Sequence, residues 1–315
     1  MAKKEIGKRK KMKVWRLLRR SLILFIFFCF GGASYSLGVA VFENVESSVV
    51  INDFKNKATF EYTDTVMYGT YEQIRHYYVV QRTEDYELDD TRSIFEDEDR
   101  KHFGKDGDIL MTWDSPFPYI PVIHQFISFY FGGHAALKSE ELGYIQATGF
   151  PAPGESLLEI ILTPGDTTEP YQSVTADRVT ADYWTNPVYR RDTDDSYPYY
   201  GSYYREKFFG VRVKNIDQET IDGAIDFANS KVNQAMYNFL FWLDMKNKYY
   251  CTDFVSRAYQ SVMVPEDEQG NYAKVLNDDW FITSVNDILL SDDTYLTFYA
   301  EVVDNELNIY YLEDI

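Results

Sequence analysis

The segment "SLILFIFFCFGGASYSLGVAVF", Ser21 to Phe42, contains no charged residue. An apolar run of about 20 residues crosses the roughly 30 Å hydrocarbon core of a bilayer as a helix. The residues ahead of it, "MAKKEIGKRKKMKVWRLLRR", hold ten Lys or Arg and one Glu, a net charge of +9. Cations on the N-terminal side keep that end in the cytoplasm. The expectation is a basic cytoplasmic tail over 1–20, a single-pass anchor over 21–42, and the remainder of the chain outside the cell. A cleaved signal peptide competes with this reading, because Gly38 and Ala40 are small residues near the end of the run. Against it, the basic region is long for a signal, and the run exceeds the usual apolar stretch of about 7 to 15 residues. "IFFC" also lacks the small side chains expected ahead of a lipidated cysteine.

Subtracting +9 from the total of −19 leaves −28 for residues 21–315. That balance argues against a nucleic-acid partner, since binding phosphates needs clustered cations. Its simplest meaning is a surface kept dispersed by like charge. Cysteine is scarce: Cys29 lies in the apolar run, and Cys251 stands alone in the exported part. No disulfide can form within that part, and a lone thiol in an oxidising compartment is a liability unless it is buried or used.

Residues 43–104 read as a stalk or an N-terminal helical region, with "RTEDYELDDTRSIFEDEDRK" too charged for much of a core. From Gly107 the pattern changes to short apolar runs bounded by Gly, Pro and Asp. "GDILMTW", "HAALKS", "GYIQA", "SLLEIILT" and "FFGVRVK" each predict a strand. The Tyr-, Asp- and Pro-rich stretch 166–207 has no period and reads as an insertion. Within it "DTDDS" begins like a calcium loop but lacks the Gly and Glu spacing that would complete one. "NIDQETIDGAIDFANSKVNQAMYNF" predicts a helix with Asn215 as cap, Gln218 completing a capping box, and an apolar stripe of Ile221, Ala224, Ile225, Ala228 and Val232. A short helix is expected around "WFITSVNDILL", and two alternating runs about Asp304-Asn305 predict a closing hairpin. Strands on both sides of packed helices indicate an α+β domain over 105–315.

The chemistry centres on "YYCTDFVSRAYQSV", residues 249–262. Phe254, Val255, Ala258 and Val262 recur at helical spacing and Pro265 closes the segment, so Cys251 falls in a first helical turn. The positive end of a helix dipole favours thiolate, and a neighbouring imidazole can take the proton. His76, His102, His124 and His134 are the available rings. His134 is preferred because "FGGHAAL" sets it at the start of a short strand, behind two glycines that allow close backbone approach; His124, in the more apolar "YIPVIHQFISFY", comes second. A hydrogen-bonded structural histidine remains the alternative. On the next strand, "GYIQATG", Gln146 is polar among apolar neighbours, either as a surface residue or as an amide oxygen orienting the base. No pair of histidines has zinc-ligand spacing and no second cysteine is at hand, so no metal site is expected.

"GDILMTW", "GGHAAL", "YIQATG", "AMYNFLF", "YYCTDFVSRAY" and "ITSVNDILLS" follow one another in this chain. In that order they resemble the circularly permuted papain-like cysteine hydrolases, the NlpC-like enzymes of the YiiX type and distant relatives of lecithin retinol acyltransferase. The resemblance covers roughly residues 105–300. It implies Cys251 as nucleophile, His134 as base and Gln146 as the third polar residue, with Asp108, Tyr237 and Tyr250 as substrate contacts. The chain departs from the family pattern at Gln146, where glutamate is common. It departs again at Thr252-Asp253, where Ser-Glu is frequent, and at Thr283-Ser284, where Thr-Pro is frequent.

The expected protein is therefore a membrane-anchored, outward-facing cysteine hydrolase that forms an acyl-thioenzyme and needs no metal or organic cofactor. The family implies an amide substrate, with a peptidoglycan peptide first and a lipid acyl substrate second. A catalytically decayed binding module is the alternative of another class. The aromatic residues of the insertion, Tyr183 and Trp184 among them, either rim a substrate site or pack a loop.

Overall fold

The computed structural model describes residues 2–115, 121–141, 143–149, 154–165, 175–187, 205–241, 245–269, 275–277 and 282–314. Helix α1 (Ala2–Lys57) opens the chain, which divides into two units, Met1–Val45 and Glu46–Ile315. The first unit is helical. Its apolar side chains, from Val14 and Trp15 through Phe25, Phe28 and Phe30 to Phe42, are exposed. The span Val14–Lys57 is long and apolar enough to cross a membrane, and its most apolar window is unburied. Such a helix suits a membrane anchor or a signal sequence.

In the second unit a hairpin follows directly, β1 (Thr59–Tyr68) and β2 (Tyr71–Val80), turning at Gly69 with φ of 63°. For 43–104 the expectation was a stalk or an N-terminal helical region: 43–57 continues helix α1, whereas 59–80 is a hairpin of the sheet. The polar alternation of 59–80 reflects a sheet edge: β1 is largely exposed, while Tyr77 of β2 is fully buried. After the short helix α2 (Asp85–Asp89) come β3 (Ile109–Thr112), α3 (Pro121–Tyr130), β4 (His134–Ser139) and β5 (Gly143–Ala147). Helix α4 (Leu157–Leu162) occupies the segment expected as a strand. Ser156 caps it by accepting from the Glu159 N–H, and Ile160 alone among its residues is buried. The described part of the insertion supplies β6 (Ala176–Val179) and α5 (Asp182–Thr185), whereas "DTDDS" lies outside the described residues.

Next come β7 (Lys207–Val213), α6 (Gln218–Lys231), the two-residue strands β8 (Met236–Tyr237) and β9 (Lys248–Tyr249), and α7 (Cys251–Met263). The chain ends with α8 (Val285–Leu290), β10 (Thr294–Val303) and β11 (Glu306–Leu312). The cap of α6 is Asp217 rather than Asn215. The Asp217 carboxylate accepts from the Thr220 N–H, while Asn215 takes a left-handed φ of 55° in the preceding turn. The closing hairpin turns at Asp304 and Asn305, both at positive φ as a type I′ turn requires.

Among the described residues these strands make a nine-stranded sheet in the order β1-β2-β11-β10-β7-β3-β4-β5-β6. It is antiparallel except where β11 meets β2. The molecule is thus α+β, with a large, mostly antiparallel sheet. Helix α7 packs on β4 and β5 and against α6. Phe254, Val255, Ala258 and Tyr259 of α7 are fully buried. Two glycines bring these layers together. A Cβ on Gly223 would lie 2.6 Å from Val262, and one on Gly107 would lie 2.9 Å from both Ile221 and the Tyr259 hydroxyl.

The central strands β3, β4 and β7 are buried on both faces, so charged residues there must be paired. Arg212 is the clearest case. Its Nε donates to Asp108 Oδ1 at 2.6 Å and its Nη2 to Oδ2 at 3.1 Å, while Nη1 and Nη2 reach the carbonyls of Arg92 and Ser93. Asp108, expected as a substrate contact, is instead fully buried and committed to this clamp. It ties residues 90–93 to the centre of the sheet.

Candidate active site

Four features converge at the N-terminal end of β4. The first is the glycine pair ahead of it. A Cβ on Gly133 would fall 1.8 Å from the Asp114 carbonyl oxygen, and one on Gly132 (φ 77°) would fall 2.4 Å from the Val285 side chain. Only glycine permits β4 to enter the sheet this close to β3 and α8, and His134 is the next residue.

The second is the pairing of His134 with Gln146. The register sets Ala136 opposite Gln146, so His134 and Gln146 share a face on neighbouring strands. His134 Nε2 lies 2.6 Å from Gln146 Oε1. An amide oxygen only accepts, so Nε2 carries the proton and Nδ1 the basic lone pair. Gln146 has no exposed surface and His134 is 8% exposed. The Gln146 amide nitrogen is buried without a partner among the described residues.

The third is the thiol. Lys138 bonds through both its N–H and its carbonyl to the β3 side, with Asp108 and Gly107. Backbone groups alternate along a strand, so Ala135 turns its N–H toward β5. Pairing of β4 with β5 begins only at Ala136↔Gln146, which leaves the Ala135 amide beyond the ladder. There it is directed at Cys251 Sγ. The thiol therefore sits beside the residue that follows His134, at the mouth between β4 and β5.

The fourth is the start of α7. Helices α4, α6 and α8 are capped by the side chains of Ser156, Asp217 and Ser284, but the Tyr250 side chain makes no cap bond on α7. The N–H groups of its first turn have no backbone acceptor within the helix. The turn itself is anchored from outside. Thr252 Oγ1 donates to the Thr283 carbonyl at 2.6 Å, and the Thr283 N–H donates to the Tyr250 hydroxyl at 2.8 Å.

Burial pushes the half-buried Cys251 thiol up from its ordinary pKa. The N–H groups of Ala135, Thr252 and Cys251 itself pull it part of the way back. The net effect is upward, which favours the thiol over the thiolate.

Comparison with protein-family models, with curated proteins and with solved structures finds no match.

Of the six residues expected here, Cys251, His134 and Gln146 lie together. Tyr250 is nearby but buried, and its hydroxyl is taken by Thr283, so it orients the helix start and does not face a substrate. Tyr237 is half-buried against Gly149, three residues beyond Gln146, with its ring 5.0 Å from Phe239. Asp108 belongs to the Arg212 clamp.

The other histidines are engaged elsewhere. His76 lies between Thr63 and Glu306, and His102 lies 2.7 Å from Asp97 and 2.9 Å from Asp182. His124 is on α3. No cluster of three or more metal-ligating side chains occurs among the described residues.

Trp184, expected either to rim a substrate site or to pack a loop, touches the candidate base itself. Its ring stacks on His134 at 5.9 Å and 12°, and it carries the Arg205 guanidinium 4.1 Å away. Trp184 is 1% exposed and covers the His134 ring. An aperiodic insertion gives no signal for such a contact. Of the two expectations for the insertion's aromatics, Tyr183 and Trp184 follow packing, since both lie in the core. Tyr171, Tyr189, Tyr199, Tyr200, Tyr203 and Tyr204 lie outside the described residues.

Proposed function

We propose that this chain is a cysteine hydrolase of the permuted papain-like type, held at the membrane by its N-terminal helix and facing outward. The observation that carries the reading is the meeting of three expected residues at one strand end. His134 is bonded to Gln146, and the amide following His134 is directed at Cys251 Sγ.

In this reading His134 Nδ1 takes the Cys251 proton as Sγ attacks a substrate carbonyl carbon. Because burial keeps the resting thiol protonated, transfer accompanies attack and no ion pair stands ready beforehand. The oxyanion meets the uncapped amides at the start of α7, with the Cys251 N–H foremost. Collapse breaks the bond to the leaving group, which receives the proton from His134 and leaves a thioester on Cys251. Water then attacks the thioester carbon and gives a proton to His134; the C–S bond breaks, the carboxylic acid leaves, and Cys251 Sγ takes the proton back from His134. Gln146 holds the ring with Nδ1 toward the sulfur, and Trp184 screens the His134–Gln146 bond from water. No step uses a metal or an organic cofactor.

An amide in a cell-wall peptide is the leading substrate, with a lipid acyl group second. The apolar residues exposed on α3 and α4 favour the second, and a binding module is the alternative of another class. A peptide-like electrophilic probe separates enzyme from module. Cys251 of the native chain should be labelled, and His134→Ala should suppress labelling while leaving the fold intact. Labelling indifferent to His134 would remove the base from the proposal.

A further inference from the structure

Helix α3 lies in a stretch of unusual neutrality. From Ser115 to Leu137 the sequence has no Asp, Glu, Lys or Arg over 23 residues, in a chain that is 26% charged. Globular surfaces scatter apolar residues singly, and contiguous exposed ones mark contact sites. On α3, Val122 is 82% exposed and Phe126, one turn on, is 54% exposed. A second ridge stands on α4, where Leu158 is 66% and Leu162 73% exposed. The two helices share one aromatic seam: Ile160 of α4 packs with Tyr237, Tyr237 meets Phe241, and Phe241 stacks on Phe131 at the end of α3.

The same end of the folded unit is tied to the root of the N-terminal helix. Ser47 Oγ donates to Asn286 Oδ1 at 2.8 Å, and Trp113 Nε1 donates to the same oxygen. The adjacent Val285 donates its N–H to the Phe131 carbonyl and fills the space over Gly132. Ser47 follows Phe42, the last residue of the uncharged run, by five positions. Even fully extended, five residues reach at most about 18 Å. If 21–42 lies in a bilayer, the end of α3 is held close to that bilayer's surface.

We propose that α3 seats Val122 and Phe126 in the interface of the same bilayer that holds the N-terminal helix. An amphipathic helix lying in the interface buries its apolar face about 5–10 Å deep. The neutrality of the stretch fits, because the acidic remainder is repelled by anionic headgroups and any attraction must come from apolar area. The aromatic seam continues from Phe241 to Tyr250, the residue before Cys251. Docking α3 would therefore set the Cys251 mouth against the membrane surface, where it meets acyl or amide carbonyls presented from the bilayer. This inference rests on the anchor reading of 21–42 and stands apart from the assignment of Cys251 as nucleophile.

The test uses the full chain in vesicles of phosphatidylcholine and phosphatidylglycerol, with Cys29→Ala and Cys251→Ala as background. Spin labels at Val122→Cys, Phe126→Cys and, as a control, Asp304→Cys are each probed by collision with oxygen and with a water-soluble nickel chelate. Flotation of the vesicles checks the anchor separately. The expected result is a several-fold higher oxygen-to-nickel ratio at 122 and 126 than at 304. Equal ratios at all three positions in floating protein would overturn the docking while leaving the anchor standing. Low collision with both reagents at 122 and 126 would also overturn it, showing a protein surface such as a second copy over the helix. Protein that fails to float would overturn the anchor reading and the docking with it.

Discussion

His134 and Gln146 sit on adjacent antiparallel strands with Nε2 and Oε1 2.6 Å apart, shielded by Trp184. The bond fixes the ring in the tautomer that keeps Nδ1 basic, and it does so without a carboxylate. An amide orients the imidazole but stabilises its cation less than a carboxylate would.

Gln146→Ala removes the oxygen that accepts from His134 Nε2, at a cost of about 1–3 kcal/mol for a lost buried hydrogen bond. If that cost falls on the transition state, turnover drops roughly 10- to 100-fold. Gln146→Glu should recover activity and move the acidic limb of the pH–rate profile upward, since a carboxylate favours the imidazolium. Steady-state kinetics of the two variants check this, and an unchanged rate in the alanine variant would make Gln146 a packing residue.

The raised thiol pKa has a definite sign. Burial holds Cys251 protonated in the folded chain at pH values where the unfolded chain has already released its proton. Stability linked to this group is complete below the unfolded pKa of about 8.5 and is lost as pH rises through the folded value. Iodoacetamide labelling of Cys251 in a Cys29→Ala chain should therefore show a midpoint above that of free cysteine. A midpoint below neutrality would reveal a standing thiolate–imidazolium pair and contradict proton transfer during attack.

Asp108→Ala tests whether that residue supports the fold. It takes the nearer carboxylate from the buried Arg212 and leaves only Asp90 Oδ1, 3.5 Å from Nη1, a change that costs up to about 3–5 kcal/mol. Thermal unfolding of the detergent-solubilised chain should show a large fall in midpoint. Unchanged unfolding with lost turnover would return Asp108 to the substrate contacts.

Gly133→Ala forces a Cβ to within 1.8 Å of the Asp114 carbonyl oxygen. The backbone before His134 must move, at about 1–3 kcal/mol for overpacking. Both stability and turnover should fall, whereas Gly38→Ala, on helix α1 where a Cβ meets nothing within 4 Å, should leave turnover unchanged. Parallel melting and kinetic curves check the pair.

Much of this was legible because the site lies on regular elements. "GGHAAL" announced β4 through its glycines and short apolar run, and the 3.6 period of 251–263 announced α7 with Cys251 in its first turn. Other segments misled for physical reasons. "LLEIIL" is too short for a strand and a helix turn to differ in pattern, so α4 was expected as a strand. The hairpin 59–80 hid because an edge strand keeps polar residues on both faces, although "YGTY" at its tip was a usable turn signal. Asp108 looked like a site residue because nothing local shows that Arg212, 104 positions away, neutralises it. Trp184 reaches His134 by tertiary packing alone.

The most direct measurement is intact-mass spectrometry of the full chain in detergent, wild type and Cys251→Ser, incubated with peptidoglycan peptides and with short acyl esters. A transient mass increase on the wild type, absent from the serine variant and slowed in release by His134→Ala, is the expected result. The added mass names the bond that was cleaved. Folded wild-type protein that gains no mass and turns over neither substrate class would contradict the hydrolase and leave a binding module.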